Sequence, residues 1–144
     1  MTRQPAAEIR LGSWSELAPL VTPVRFRVFV DEQGVPSDME LDEFDPLCWH
    51  AAALCDGQVV GAGRLLPDGH IGRMAVLADW RGQGIGAALL RALMAEAERR
   101  GMRRLALSAQ THAVDFYARF GFVQQGPEYE EAGLPHQAME RLVD

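Results

Sequence analysis

Arg81-Gly82-Gln83-Gly84-Ile85-Gly86 places three glycines within six residues, directly ahead of the most regular helical stretch of the chain. Glycine frees the backbone for left-handed angles and for close approach of a ligand. The first N–H groups of a helix lack internal partners and lie at the positive end of its dipole, so an anionic diphosphate suits such a turn. At an exposed site the dipole supplies only about 0.3–1 kcal/mol, so several converging N–H donors matter more. Two other phosphate loops do not fit. A Walker loop requires Gly-Lys-Ser/Thr, and the chain has no lysine. A dinucleotide fingerprint requires a different glycine spacing, an N-terminal parallel βαβ unit and an acid about twenty residues on. A glycine turn without a ligand is the plain alternative.

The elements that must position this turn can be read from periodicity. Residues 6–12 form a short strand, and Ser13 with Glu16 three positions later is a capping-box pattern that opens a helix. Pro19 and Pro23 are expected to break it, with helix resuming from about Pro23 to Glu32 and ending at Gly34 and Pro36. The segment 35–46 is expected to be a loop. Trp49 to Leu54 and Gln58 to Leu66 are strand-like runs joined by the hairpin signal Asp56-Gly57, and Pro67-Asp68-Gly69 leads to a third run, Ile71 to Leu77. Ile85, Leu89, Leu93 and Ala97 then recur every four residues up to Gly101, which predicts a long amphipathic helix. A strand at Leu105 to Ala109, a helix around Ala113 to Arg119 and strand pieces near Phe122 and over Ala138 to Val143 complete the chain. The pattern predicts an α/β (α+β) fold: one domain over residues 1–144 with a mixed, mostly antiparallel sheet flanked by helices.

Composition excludes several functions. With 144 residues, 48% of them hydrophobic, the chain can build one core without metals or staples. The net charge of -6 argues against a nucleic-acid partner. No apolar run of membrane length and no signal-peptide pattern occurs, which predicts a cytoplasmic protein without a membrane partner. Cys48 and Cys55 have no metal-ligand or CxxC spacing and are expected to be reduced core thiols, with no metal site. Trp14, Trp49 and Trp80 are expected in or near the core, and His50 and His70 as ordinary strand-end residues. Asp31, Glu32, Asp38, Glu40, Asp42, Glu43 and Asp45 crowd one stretch with no basic residue among them. The stretch is either a solvated loop or a rim that attracts a cationic substrate.

The glycine turn, preceded by Arg73-Met74-Ala75-Val76, resembles the acyl-CoA-binding motif of the GNAT N-acetyltransferase superfamily. Residues 113 to 122, with Phe116-Tyr117 and Gly121-Phe122, resemble that superfamily's second signature. Residues 27–34, Ala109-Gln110 and residues 130–136 are similar to a narrower group, the ElaA-like acetyltransferases. The resemblance spans about residues 25 to 140. It implies acetyl-CoA as cofactor and an amine as acceptor, with Met74, Ala75 and Val76 pairing with the pantetheine arm. It further implies that Arg81, Gly82, Gln83, Gly84, Ile85 and Gly86 hold the pyrophosphate, and that Gln110, Phe116 and Tyr117 complete the cofactor site. Many members carry asparagine where this chain has Gln110.

The reaction implied is direct attack of a primary amine on a thioester. An amine of pKa about 10.4 is neutral in only about one part in 10³ at pH 7, so a general base is needed, and Glu32, His112 and His136 fall in family-like segments. Tyr117 would protonate the leaving thiolate, and a backbone N–H of the Met74–Val76 strand would serve the oxyanion. Arg25 to Leu66 also resembles, more weakly, the front half of acyl-homoserine-lactone synthases. That likeness makes Glu40, Asp42, Asp45 and Arg64 candidates for holding a small amine, a cationic one if the acidic stretch steers it, or for ordering the loop. A catalytically silent acyl-CoA sensor is the competing reading. Monomer and homodimer both remain open.

Overall fold

The structure is a computed structural model that describes residues 7–143. Among them lie seven strands, in the order β1-β2-β3-β4-β5-β7-β6. They are β1 (Glu8–Gly12), β2 (Trp49–Cys55), β3 (Gln58–Leu65), β4 (His70–Val76), β5 (Arg104–Gln110), β6 (Val123–Glu131) and β7 (Leu134–Leu142). Every neighbouring pair is antiparallel except β4 and β5. The mixed, mostly antiparallel α/β architecture is the expected one. Ala6, in the expected first strand, lies outside the described residues.

Helix α1 (Trp14–Arg25) opens with the capping box of Ser13 and Glu16. It does not break at Pro19 or Pro23, both of which lie inside it, and it continues as a π-helical segment, Phe26–Glu32. An interior proline costs about 3 kcal/mol. The compensation is burial: Leu17, Val21, Val24 and Val28, spaced four, three and four apart, are at most 5% exposed and pack on Ala52, Leu54, Ala62 and Ala75. Each such side chain contributes about 1.5–3 kcal/mol. The segment expected to be a loop contains a single helical turn, α2 (Ser37–Glu40), and a 3₁₀ turn at Asp45–Leu47.

The opposite face of the sheet is covered by α3 (Ile85–Arg99), whose Ile85, Leu89, Leu93 and Ala97 are buried as their spacing predicts. Gly101, at φ +76°, ends it in a Schellman motif, with Met102 N–H donating to Ala97 and Gly101 N–H to Glu98. The Asp56-Gly57 hairpin has both residues at positive φ, as a type I′ turn requires. The last helix, α4 (Val114–Ala118), is followed by the β6–β7 hairpin, longer than its sequence suggests. No helix of the described residues is long and apolar enough to cross a membrane.

Candidate active site

Two irregularities of the sheet open the site. β4 carries a bulge: Ala62 pairs with Ala75 and Arg64 with Gly72, so Arg73 and Met74 together face Gly63. Arg73 takes φ +50°, rare for a side-chain-bearing residue, and a Cβ on Gly63 would lie 2.7 Å from Met74 Sδ. Glycine is the residue that fits there. β4 and β5 pair only at His70–Ala106 and Ile71–Leu107 and then part. A cleft of about 790 Å³ opens between them.

One wall of the cleft is Met74, Ala75 and Val76, and the other presents Ser108 and Gln110. Arg81, His112, Tyr117 and His136 also line it. Gln110 is locked to Gln33 by reciprocal amide bonds of 2.8 and 3.3 Å. Gly82 and Gly84 have φ of +79° and +81°, and nothing lies within 4 Å of a Cβ built on either. Gly84 is the N-cap of α3, so the first N–H groups of that helix point out of an uncovered backbone. This uncovered backbone has the room and the donors to take an anionic group such as a diphosphate. Gly86 and Phe116 lie behind the turn: the Phe116 ring sits 3.6 Å from where a Gly86 Cβ would be. Phe116 therefore braces the turn and packs edge-on against Tyr117, 5.0 Å between ring centres, while the cleft lining does not include it.

Burial pushes the Tyr117 phenol up to about 12, so it keeps its proton at any working pH. His136 is 6% exposed and its Nδ1 lies 2.8 Å from the Leu134 carbonyl oxygen. His112 is exposed at the cleft edge. Glu32 is not brought to the cleft. Arg81 clamps it instead, with Nη2 at 3.0 and 2.8 Å from its two carboxylate oxygens, while Arg81 Nε donates to the Val76 carbonyl.

Glu40 and Asp45 form no open rim. They are 2% and 1% exposed, bound by Arg25 at 2.8 and 2.7 Å. Arg64 spans Asp42 and Asp45 at 2.7 and 2.8 Å, and Arg73 adds contacts to Glu40 and Asp42. Three arginines thus match three acids. Burial would raise both aspartates, but bonds from Arg64 to Asp42 and from Arg25 to Asp45 outweigh it and hold them below the ordinary range. For Glu40 burial prevails and the carboxyl is raised. This geometry fits the loop-ordering role. The sequence does not reveal Arg25 and Arg73 as partners of these acids, because pairs fifteen to thirty-three residues apart leave no periodic signal. His50, expected as an ordinary strand-end residue, is 1% exposed and bonds through Nε2 to the Asp45 carbonyl, beneath Trp14.

The bulged mixed sheet splayed at one parallel pair, with a glycine-capped helix at the splay, matches the GNAT acyltransferase fold. Residues 19–143 match the model of the acetyltransferase (GNAT) domain family. The chain is 38% identical over 120 residues to Bacillus subtilis YjcF, an uncharacterized N-acetyltransferase, covering 81% of this chain and 86% of that one. An acyl-CoA N-acyltransferase from Pseudomonas aeruginosa superposes with a TM-score of 0.85 at 32% identity, over 94% of this chain and 99% of that one. Escherichia coli ElaA superposes with a TM-score of 0.84 at 28% identity, over 93% and 99%. The protein belongs to the GNAT family.

Proposed function

We propose that this protein is an N-acetyltransferase of the cytoplasm, moving an acetyl group from acetyl-CoA to a primary amine of a small molecule or peptide. The observation that carries the reading is that Tyr117 lines the same cleft as Met74, Ala75, Val76 and Arg81, the residue that opens the glycine turn before α3. Gly82, Gln83, Gly84, Ile85 and Gly86 offer the diphosphate backbone N–H groups, and Arg81 a charge. When bound, the acyl-CoA supplies an activated thioester carbon.

The amine attacks that carbon directly. A route through an acyl-cysteine has no support, because Cys48 and Cys55 are buried and burial pushes the Cys48 thiol to about 11, far from a thiolate at neutral pH. A backbone N–H of the bulged strand receives the developing negative oxygen, and Tyr117 gives its proton to the departing sulfur. Of Glu32, His112 and His136, the candidates for removing the amine proton, the cleft lining contains the two histidines. The cationic character of the acceptor is that of its own ammonium, since Glu40, Asp42 and Asp45 are matched by Arg25, Arg64 and Arg73.

A silent acyl-CoA sensor would need no phenol held in the cleft with its proton, and Tyr117 favours the catalytic reading. The test is thiol release from acetyl-CoA and from longer acyl-CoAs against a panel of amines. Turnover with at least one amine is expected. Tight CoA binding without turnover of any amine would turn the reading to the sensor.

A further inference from the structure

The turn end of the β6–β7 hairpin carries an arrangement that extends the amine side of this reading. The Leu134 carbonyl only accepts, so its contact with His136 places the ring proton on Nδ1 and leaves Nε2 a bare acceptor. The ring is held in place: Tyr129, its register partner on β6, stacks on it with centres 6.1 Å apart and planes 25° apart. The Tyr129 hydroxyl is bonded to Ser108 Oγ on β5. A bulge of β6 between Gln125 and Tyr129 sets that approach, and Gln137 Nε2 fills it, donating to the Gln125 and Gly126 carbonyls at 3.1 and 3.0 Å.

Glu131 is the remaining member. One of its carboxylate oxygens stands 3.6 Å from His136 Nε2, beyond a direct hydrogen bond. Its side chain is 57% exposed, so it is free to adjust. Both groups line the cleft, and both present acceptors to the same point. An ammonium group, with three N–H donors and a positive charge, can serve both acceptors at once.

We infer that His136 Nε2 is the base that deprotonates the acceptor, and that Glu131 is a positioning residue that seats the ammonium and then steadies the imidazolium. This rests on the N-acyltransferase reading. One N–H bond of the ammonium breaks and its proton joins Nε2. The electron pair left on nitrogen forms the C–N bond to the acyl carbon, the C–S bond breaks with its pair on sulfur, and Tyr117 protonates that sulfur. The second nitrogen proton, acidic once the C–N bond exists, restores the Tyr117 hydroxyl through water, and His136 releases the first to solvent. The groups facing the ring that titrate or carry charge are Glu131 and Tyr129 from β6. β5 presents the neutral Ser108 and Gln110, and the turn after it presents His112.

The experiment is the pH profile of kcat/KM for the best amine in wild type, His136→Gln and Glu131→Gln, with CoA affinity by calorimetry. His136→Gln is expected to lower kcat about 10²–10⁴-fold, to keep CoA affinity and to lose the acid limb of the profile. Glu131→Gln is expected to raise KM for the amine while changing kcat far less than His136→Gln does, because the ammonium loses its charged acceptor and keeps its base. His136→Gln within threefold of wild type, or with its acid limb in place, overturns the assignment and leaves the acyltransferase reading standing. Wild type that turns over no amine defeats that reading instead. Should His136→Gln not fold, exposed Glu131 decides: an unchanged amine KM in Glu131→Gln overturns the proposal.

Discussion

Arg25 and Asp45, twenty residues apart, meet in a two-pronged ion pair in which each side chain is 1% exposed, with N–O distances of 2.7 and 3.1 Å. The pair ties the end of α1 to the acidic segment. Removing one partner of a buried pair leaves the other charge stranded, at about 3–5 kcal/mol. Asp45→Ala is therefore expected to lose about that much in chemical denaturation, whereas a carboxylate on a solvated loop would stay within about 0.5 kcal/mol.

Asp42 and Asp45 titrate below the ordinary aspartate range, so their contribution to stability is full above the unfolded pKa and is lost as pH falls through the folded one. Glu40, raised by burial, runs the other way: its contribution is full below the unfolded glutamate pKa and fades as pH rises through the folded value. Denaturation midpoints between pH 7 and pH 3 are expected to fall less steeply in Asp45→Asn than in wild type. In Glu40→Gln they are expected to fall more steeply. Identical slopes in all three proteins would contradict the ion cluster.

What the sequence made legible was whatever repeats along the chain. The helix from Ile85, the hairpin at Asp56-Gly57 and the capping box at Ser13 each declare themselves within a dozen residues. β6 did not, because all nine of its residues are exposed and neither face alternates. Pro19 and Pro23 misled because proline acts locally, while the burial that overrides it comes from strands β2, β3 and β4. The glycine turn was legible for its backbone chemistry. The role of the acids was not: Glu40, Asp42 and Asp45 read as a patch of negative charge until Arg25, Arg64 and Arg73 arrive from three other elements to match them.

Gly84 tests the cradle. Its φ of +81° disfavours any side chain, but nothing lies within 4 Å of a Cβ, so Gly84→Glu loses only about 1–2 kcal/mol and folds. The new carboxylate would stand where the diphosphate belongs. Calorimetry is expected to detect no CoA binding by a variant with a cooperative melt. Binding at wild-type affinity would remove the diphosphate from this turn.

Glu32 and Arg81 form a half-exposed pair at the same turn, with side chains 38% and 45% exposed. Glu32→Gln frees the Arg81 guanidinium, still anchored to the Val76 carbonyl at 2.9 Å, and removes a negative charge near an anionic ligand. Such a pair is worth about 0.2–1 kcal/mol, so CoA is expected to bind up to about fivefold more tightly, an advantage that shrinks in high salt. A large loss of kcat with unchanged CoA affinity would instead make Glu32 the base.

Tyr117 tests the chemistry with the fewest structural consequences. Its ring packs against Phe116 and Phe122, and phenylalanine keeps those contacts while deleting the hydroxyl. A proton donor is needed only as sulfur leaves, not when the cofactor binds. Tyr117→Phe is therefore expected to lower kcat about 10²–10⁴-fold and to leave CoA affinity nearly unchanged. Because burial holds the phenol near 12, its ionisation cannot account for a fall in rate between pH 7 and pH 10. Any basic limb in that interval should persist, unshifted, in the residual activity of the variant. A kcat within threefold of wild type would return Tyr117 to a packing role, and the proton for the leaving sulfur would then come from water.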